Sequence, residues 1–441
     1  MRRLVLVGML TTAFAGDVLA NGRAPGASTI HFRRGMENEI AAGMTFGLLL
    51  SHDGGQKWFY ICEDAVGYGG MYDPRYEYTS SGALFGTTFN GLKVMRNGCE
   101  FADTPPGMSF VSEVVGGSDG AIYYASTDEA TNGVFASCTL EPPSPRTCSD
   151  GTAFPTAAHP GQAKDWWQTM RVAPSNPRRI YLSGYRLEAG SEKVFLLFRS
   201  DDGGQTYQPL PVNAFTVMTN STIDIVGISK ANPDHVYARV TLEDNSLADA
   251  LYRSTNGGQT WTRIHKVQGA LSFVVRGNGQ LVVGSQVQGS FVSNDNGETW
   301  TPLTNAPHIN CLEENAAGEV WACTQNYGAM NVPSDGFGIM KTTDLATWTG
   351  VLKFQDIELP VACPAGTVQH DKCDEKLWCG LCKQLGCDPK RECPNFADDA
   401  GVDGGLEIPR QQGSCSTWGG ASWGALVIAV MFALRWRRRR A

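Results

Sequence analysis

Charge is scarce in this sequence. Asp, Glu, Lys and Arg make up 18% of its 441 residues, against roughly a quarter in ordinary globular domains. Ala, Glu, Lys, Leu and Arg do not dominate, and Gly and Pro interrupt the chain every few residues, so a coiled coil or long helical bundle is excluded. A Gly-X-Y period is missing, which excludes a collagen. No H-E-x-x-H, phosphate-binding loop or dinucleotide fingerprint occurs. The seven His are scattered and suggest no ligand set, so neither a metal nor a cofactor is expected. Basic clusters are missing from the body. The formal net charge is −8, and Arg2, Arg3, Arg435 and Arg437 to Arg440 lie at the two ends, so the middle is more acidic still. Phosphate binding needs clustered Lys and Arg, so nucleic acid is excluded as a partner. What is present is 51 Gly, 11 Trp and 10% aromatics, with many β-branched residues. That is the composition of a turn-rich, β-rich chain rather than a disordered one.

Both ends read as targeting segments. Met1-Arg2-Arg3 precedes the apolar stretch Leu4 to Leu10, and Val18-Leu19-Ala20 offers a cleavage site, so residues 1–20 are expected to be a secretory signal. At the other end, residues 418–436 hold no charge before Arg435. They are long enough for a transmembrane helix, which the following Arg cluster would orient with its C-terminal end in the cytoplasm. Gly413-Ser414-Cys415-Ser416 stands just before this span. The order of Cys, apolar span and Arg cluster resembles the myxobacterial-type C-terminal sorting signal. That resemblance implies that a sorting protease acts on the tail (residues 415–441), with Cys415 as the processed or modified residue. An ordinary tail anchor is the alternative. Either way the body lies outside the cytoplasm, in the envelope or at the cell surface.

An exported chain with 13 Cys is expected to build disulfides. Cys363, Cys373, Cys379, Cys382, Cys387 and Cys393 crowd into one segment, so residues 359–394 read as a small stapled module whose connectivity stays open. Cys311 and Cys323 flank the turn Asn315-Ala316-Ala317-Gly318 and can pair across two strands. Cys138 and Cys148 bracket the stiff loop Pro142-Pro143-Ser144-Pro145 and form a second pair. Cys62 and Cys99 then pair by elimination. Residues 395–414 read as a flexible acidic linker.

One short pattern recurs along the body. It runs from Ser51 through Asp53 and Gly55 to Trp58, then from Ser200 through Asp202 and Gly204 to Tyr207. It returns from Ser254 through Asn256 and Gly258 to Trp261, and from Ser293 through Asp295 and Gly297 to Trp300. A worn copy holds Thr342, Asp344 and Trp348. Each copy follows an apolar strand. The grammar S/T-x-D-x-G-x-T-W resembles the Asp-box, or BNR repeat, of sialidases, sortilin-type receptors and related β-propellers. The residue types suit a hairpin bend: Asp and Ser/Thr side chains bond the local N–H groups, and Gly takes positive φ. The first gap is about three times the others and leaves room for two worn units, one around Gly91 to Gly98 and one around Gly133 to Cys138. Turn signals upstream of each box complete four strands per unit of about 48 residues. The expected fold is all-β: a seven-bladed β-propeller over residues 21–358, six-bladed if the third unit is an insertion. The stapled module and a transmembrane helix follow it.

Function is less legible. Sialidases use an arginine triad with a Tyr/Glu pair and an Asp, and carry an early Arg-x-Pro. Here Phe32-Arg33-Arg34-Gly35 lacks the proline, and no triad can be picked out. Two aromatic clusters, Tyr68, Tyr72, Arg75 and Tyr76, and Trp166 with Trp167, are candidate ligand platforms. Packing between blades is the competing reading. The expectation is a non-catalytic recognition or scaffolding module for protein or glycan. The alternative is an exported glycoside hydrolase of sialidase-like type with its site in the propeller channel.

Overall fold

A computed structural model describes residues 23–69, 72–104, 110–127, 134–139, 165–188, 192–328 and 332–388. The signal segment, the acidic linker, Cys415 and the apolar span 418–436 lie outside the described residues, as does Cys148. Among the described residues no helix is long and apolar enough to cross a membrane.

The strands form seven consecutive antiparallel sheets. Sheet one holds β1 (Ala27–Phe32), β2 (Ile40–Met44), β3 (Gly47–Ser51) and β4 (Phe59–Ile61), followed by the single-turn helix α1 (Glu63–Val66). Sheet two holds β5 (Tyr76–Tyr78), β6 (Leu84–Thr88), β7 (Gly91–Met95) and β8 (Phe101–Asp103). Sheet three holds β9 (Phe110–Gly116), β10 (Ala121–Thr127) and β11 (Val134–Thr139). Sheet four holds β12 (Asp165–Ala173), β13 (Asn176–Leu187), β14 (Lys193–Ser200) and β15 (Gln208–Pro209). Sheet five holds β16 (Ile223–Ile228), β17 (Val236–Val240), β18 (Asp249–Ser254) and β19 (Thr262–Val267). Sheet six holds β20 (Ala270–Val275), β21 (Leu281–Ser285), β22 (Ser290–Ser293) and β23 (Thr301–Leu303). Sheet seven holds β24 (Cys311–Glu314), β25 (Val320–Cys323), β26 (Ile339–Thr342) and β27 (Thr349–Leu352). The complete four-stranded blades therefore number six, not the expected seven. Sheet three has three strands among the described residues.

Closure into a propeller follows from how the first strands meet. They touch in the order β1, β5, β9, β12, β16, β20, β24 and back to β1. Middle strands are covered on both faces by neighbouring sheets, so β2, β3, β21 and β25 are buried along their whole length and their sequences lose the polar alternation of a one-faced sheet. Outer strands such as β23 and β27 expose their first residues. The antiparallel meander assigns the turns to faces. Each sheet's first-to-second and third-to-fourth turns lie on one face of the ring. The second-to-third hairpins and the connections between sheets lie on the other.

The Asp-box bends occupy the third-to-fourth turns. In sheet six the Ser293 hydroxyl accepts the Gly297 N–H at 2.8 Å and donates to Asp295 at 2.8 Å. Asp295 accepts the Thr299 N–H at 2.9 Å, and Trp300 Nε1 donates to the Gly297 carbonyl at 3.2 Å. The other three good copies repeat the bond from the box Gly to the box Ser at 2.8–2.9 Å. In the worn copy Thr342 and Asp344 accept the N–H groups of Leu345, Ala346 and Thr347, and Leu345 takes φ +64° where the others have Gly. The box carboxylates are thus consumed by their own turns.

The cysteines depart from expectation. Cys311 and Cys323 pair across β24 and β25. Cys62 and Cys99 do not pair with each other: Cys62 bonds Cys373 and Cys99 bonds Cys363. The bridge expected between Cys138 and Cys148 lies outside the described residues. The segment after β27 is accordingly not an independent knot but a strap on sheet one. Tyr60 of β4 donates its N–H to the Leu359 carbonyl at 3.0 Å and accepts the Val361 N–H at 2.9 Å, a parallel pairing along the outer edge of the sheet. Beyond it, a π-helical stretch (Gln369–Leu377) runs into α2 (Trp378–Leu385). The buried residues of α2 are Trp378, Leu381, Cys382 and Leu385, one stripe at helical spacing. Gly386 in the left-handed region ends the helix. Trp378, Leu381 and Leu385 join the core of sheet one. The Gln369 amide bridges the Tyr60 carbonyl at 2.8 Å and the Cys62 N–H at 3.3 Å. Elimination failed because it assumed that the crowded cysteines pair among themselves; the fold instead returns that segment to the start of the chain.

Candidate functional site

The six aromatic-cluster residues singled out in the sequence separate into two groups. Tyr68, Tyr76 and Trp167 are buried and serve packing: the Tyr68 hydroxyl donates to the Met44 carbonyl at 3.4 Å, and Trp167 meets Phe198 edge-on at 6.0 Å. These three are corrected to core residues. Tyr72, Arg75 and Trp166 remain at the surface.

Tyr72 and Trp166 belong to a larger set whose other members the sequence reading missed. Tyr72 lies 4.6 Å from Phe89, Phe89 stacks on Phe110 at 5.3 Å, and Phe110 lies 6.3 Å from Trp166. The four residues come from a connection, a hairpin tip and the starts of β9 and β12, all on the face opposite the Asp-box bends. Phe89 is 39% exposed. It sits in the short turn between β6 and β7, which carries no repeat signature, and for that reason pattern reading passed over it. The Tyr72 hydroxyl is held between Thr87 Oγ1 at 2.5 Å and the Val111 carbonyl at 3.0 Å, so the ring is fixed in place. Thr87 also accepts the Arg75 N–H at 2.9 Å. The Arg75 side chain is exposed beside this aromatic file and makes no ion pair among the described residues. Leu187, Met218, Leu247, Leu271 and Val287 are exposed on the same face, each in a hairpin, a connection or the start of an inner strand.

Behind the aromatic file runs the channel ringed by the inner strands. Five of these strands carry a β-bulge against their neighbour, a device that re-aims side chains. Arg171 of β12 binds Glu113 of β9 at 2.8 Å. Burial pushes Glu77 up to about 7, and Glu313 and Glu113 add to the rise against the Gly116 N–H and Arg34. Glu313 is also pushed up to about 7, by enclosure first, with Glu314 and Glu37 adding and Lys230 and Arg171 opposing. Glu313 is itself exposed, and solvent screening limits the effect. His31 is pushed down to about 3 by burial, with Arg75 and Arg171 contributing, and so is uncharged at neutral pH. A cavity of about 190 Å³ adjoins Glu77, lined by Arg34, Thr79, Ser80 and the Gly116 to Ile122 turn. Among the described residues no group of three or more His, Cys, Asp or Glu could hold a metal ion.

A family model for the BNR/Asp-box repeat matches residues 252–263 and 291–302, the bends of sheets five and six. None of the curated proteins matches the sequence significantly. Among solved structures, a GH74 xyloglucanase from Xanthomonas campestris is 15% identical over 78% of this chain and 66% of its own, with a TM-score of 0.35. The extracellular domain of a one-component system from B. thetaiotaomicron is 14% identical over 74% of this chain and 40% of its own, with a TM-score of 0.48. YCF48 bound to D1 peptide is 17% identical over 54% of this chain and 66% of its own, with a TM-score of 0.33. This chain is a β-propeller built with BNR/Asp-box repeats.

Proposed function

We propose that the protein is an exported, surface-displayed recognition propeller that binds a glycan on the channel face opposite its Asp-box bends. The observation that carries this reading is the aromatic file Tyr72, Phe89, Phe110 and Trp166, open to solvent on one face and backed by polar groups. Sugar rings offer apolar C–H faces to such platforms and hydroxyls to the carboxylates and guanidinium beside them. The disulfides fit an oxidising compartment outside the cytoplasm. Display would follow from the tail, through the span 418–436 and processing at Cys415. Isothermal titration against a panel of polysaccharides tests the binding. Phe89→Ala and Trp166→Ala should each weaken it about tenfold without altering the melting temperature, because both side chains stand outside the main cores. Unchanged affinity in both variants would remove the platform.

One observation favours a hydrolytic second reading. Glu77 and Glu313 are both raised to about 7, and Glu313 and Glu113 act on Glu77; a carboxyl that keeps its proton near neutral pH is what the acid step of glycoside cleavage uses. Release of reducing sugar that vanishes in Glu77→Gln or Glu313→Gln, with binding retained, would establish it.

A further inference from the structure

The ring has one seam that only the strap crosses. At every other junction the chain passes from one sheet to the next, whereas sheets seven and one hold the two ends of the propeller. No strand is exchanged there: β1 pairs inside sheet one and β27 inside sheet seven. There Phe32 packs against Trp321 at 5.3 Å, Gly55 of the first Asp-box lies on the Trp321 ring, and Glu37 accepts the Ala316 N–H at 3.5 Å. The strap then leaves β27, pairs along β4, and is bonded at Cys363 to sheet two and at Cys373 to the end of sheet one.

We propose that this strap is a redox latch: the two bridges, Cys99–Cys363 and Cys62–Cys373, hold the seam of the ring shut, and their reduction loosens sheets one and seven from each other while the rest of the ring stays folded. Each bridge joins residues far apart in sequence, with separations of 264 and 311, so each removes a very large loop from the open chain. Their accessibilities differ. Cys62 and Cys373 are almost completely buried, whereas Cys99 is 9% exposed and Cys363 is half-buried. Thiolate attack needs access to a sulfur, so the outer bridge opens first and the inner one follows. In each step a dithiol reductant attacks one sulfur, the S–S bond breaks, and the mixed disulfide is resolved by the reductant's second thiol. The protein gains two protons and two electrons as two thiols, and the reductant leaves as a cyclic disulfide. The latch is independent of which ligand the channel face takes.

Timed reduction of the folded, oxidised protein by dithiothreitol tests this, with alkylation and mass spectrometry to identify open bridges and hydrogen exchange to map the backbone. The expected result is alkylation at Cys99 and Cys363 before Cys62 and Cys373. Faster exchange in β1 to β4 and β24 to β27 should accompany it, with β16 to β23 unchanged and the melting temperature lower by about 5–10 °C. The variant C62S/C99S/C363S/C373S, which keeps Cys311–Cys323, should reproduce the reduced pattern. Should it fail to fold, reduction of the already folded wild-type protein gives the answer alone. Unchanged exchange at the seam after both bridges are shown open, or equal loosening of all sheets, overturns the latch.

Discussion

At the scale of single residues, two side chains shape each Asp-box bend and one glycine seals it against the next sheet. The Ser hydroxyl and the Asp carboxylate satisfy turn N–H groups that a tight bend cannot pair with strand partners. Asp295 is held down at about 2 by its bonds to Thr299 and Ser293, so its contribution is present above its usual range near 3.8 and is lost as pH falls through 2. The glycine serves geometry. Gly258 has φ +87°, and a Cβ there would meet Leu210 Cδ1 of sheet four at 2.5 Å; Gly55 meets Trp321 and Gly297 meets Ile264 in the same way. Gly258→Ala should therefore cost about 1–3 kcal/mol, measurable by urea denaturation. Gly279→Ala, at similar φ but with open space around it, should cost about 1 kcal/mol. Equal costs would show that backbone strain alone, and not the contact between sheets, demands glycine in the box.

At the scale of elements, the inner strands differ from the rest because they carry charge into the middle of the ring. Glu77 lies on β5, the short inner strand of sheet two, between the buried rings of Tyr76 and Tyr78. Its raised pKa means that the folded chain keeps a proton which the unfolded chain releases near 4.5. Stability from this group is fully present below 4.5 and is lost as pH rises through 7. Glu313 acts in the same direction. Glu77→Gln should match the wild type near pH 4.5 and be more stable at pH 8 by about 1–2 kcal/mol, allowing for channel water. Melting temperatures of both proteins between pH 4.5 and 8 check this, and parallel curves would contradict it. The same pH window would govern hydrolysis under the second reading of function.

For the whole molecule, the strap matters more than any one sheet. Trp378 brings its ring to 5.5 Å from Tyr60, and Tyr327 donates to the Leu385 carbonyl at 2.6 Å, so α2 reaches both sheet one and sheet seven. Trp378→Ala should destabilise the protein by about 3–5 kcal/mol and speed exchange in β4 as well as in α2. Loss confined to α2 would mean that the helix is a passenger on the ring. The exposed apolar residues of the opposite face belong to this scale too. They come from separate sheets, and only the ring gathers them onto one surface.

How much of this was legible in the sequence differs by the range of the interactions involved. The Asp-box bends were readable because each is closed by its own residues within about eight positions, and the apolar strands were readable because burial between neighbouring sheets leaves them continuously hydrophobic. Cys311 and Cys323 could be paired because one short hairpin joins them. Cys62, Cys99, Cys363 and Cys373 could not, because their partners are set by where the chain returns after a full circuit. The same limit explains the aromatic file. Tyr72 and Trp166 stood out locally, but Phe89 and Phe110 became part of a site only when consecutive sheets brought a connection, a hairpin tip and two strand starts to one mouth. Local hydrogen bonding and patterning determined the repeat and the all-β class; the circular packing of sheets decided the seam, the strap and the surface that can bind, since these depend on residues that sequence distance keeps apart and only closure of the ring brings into contact.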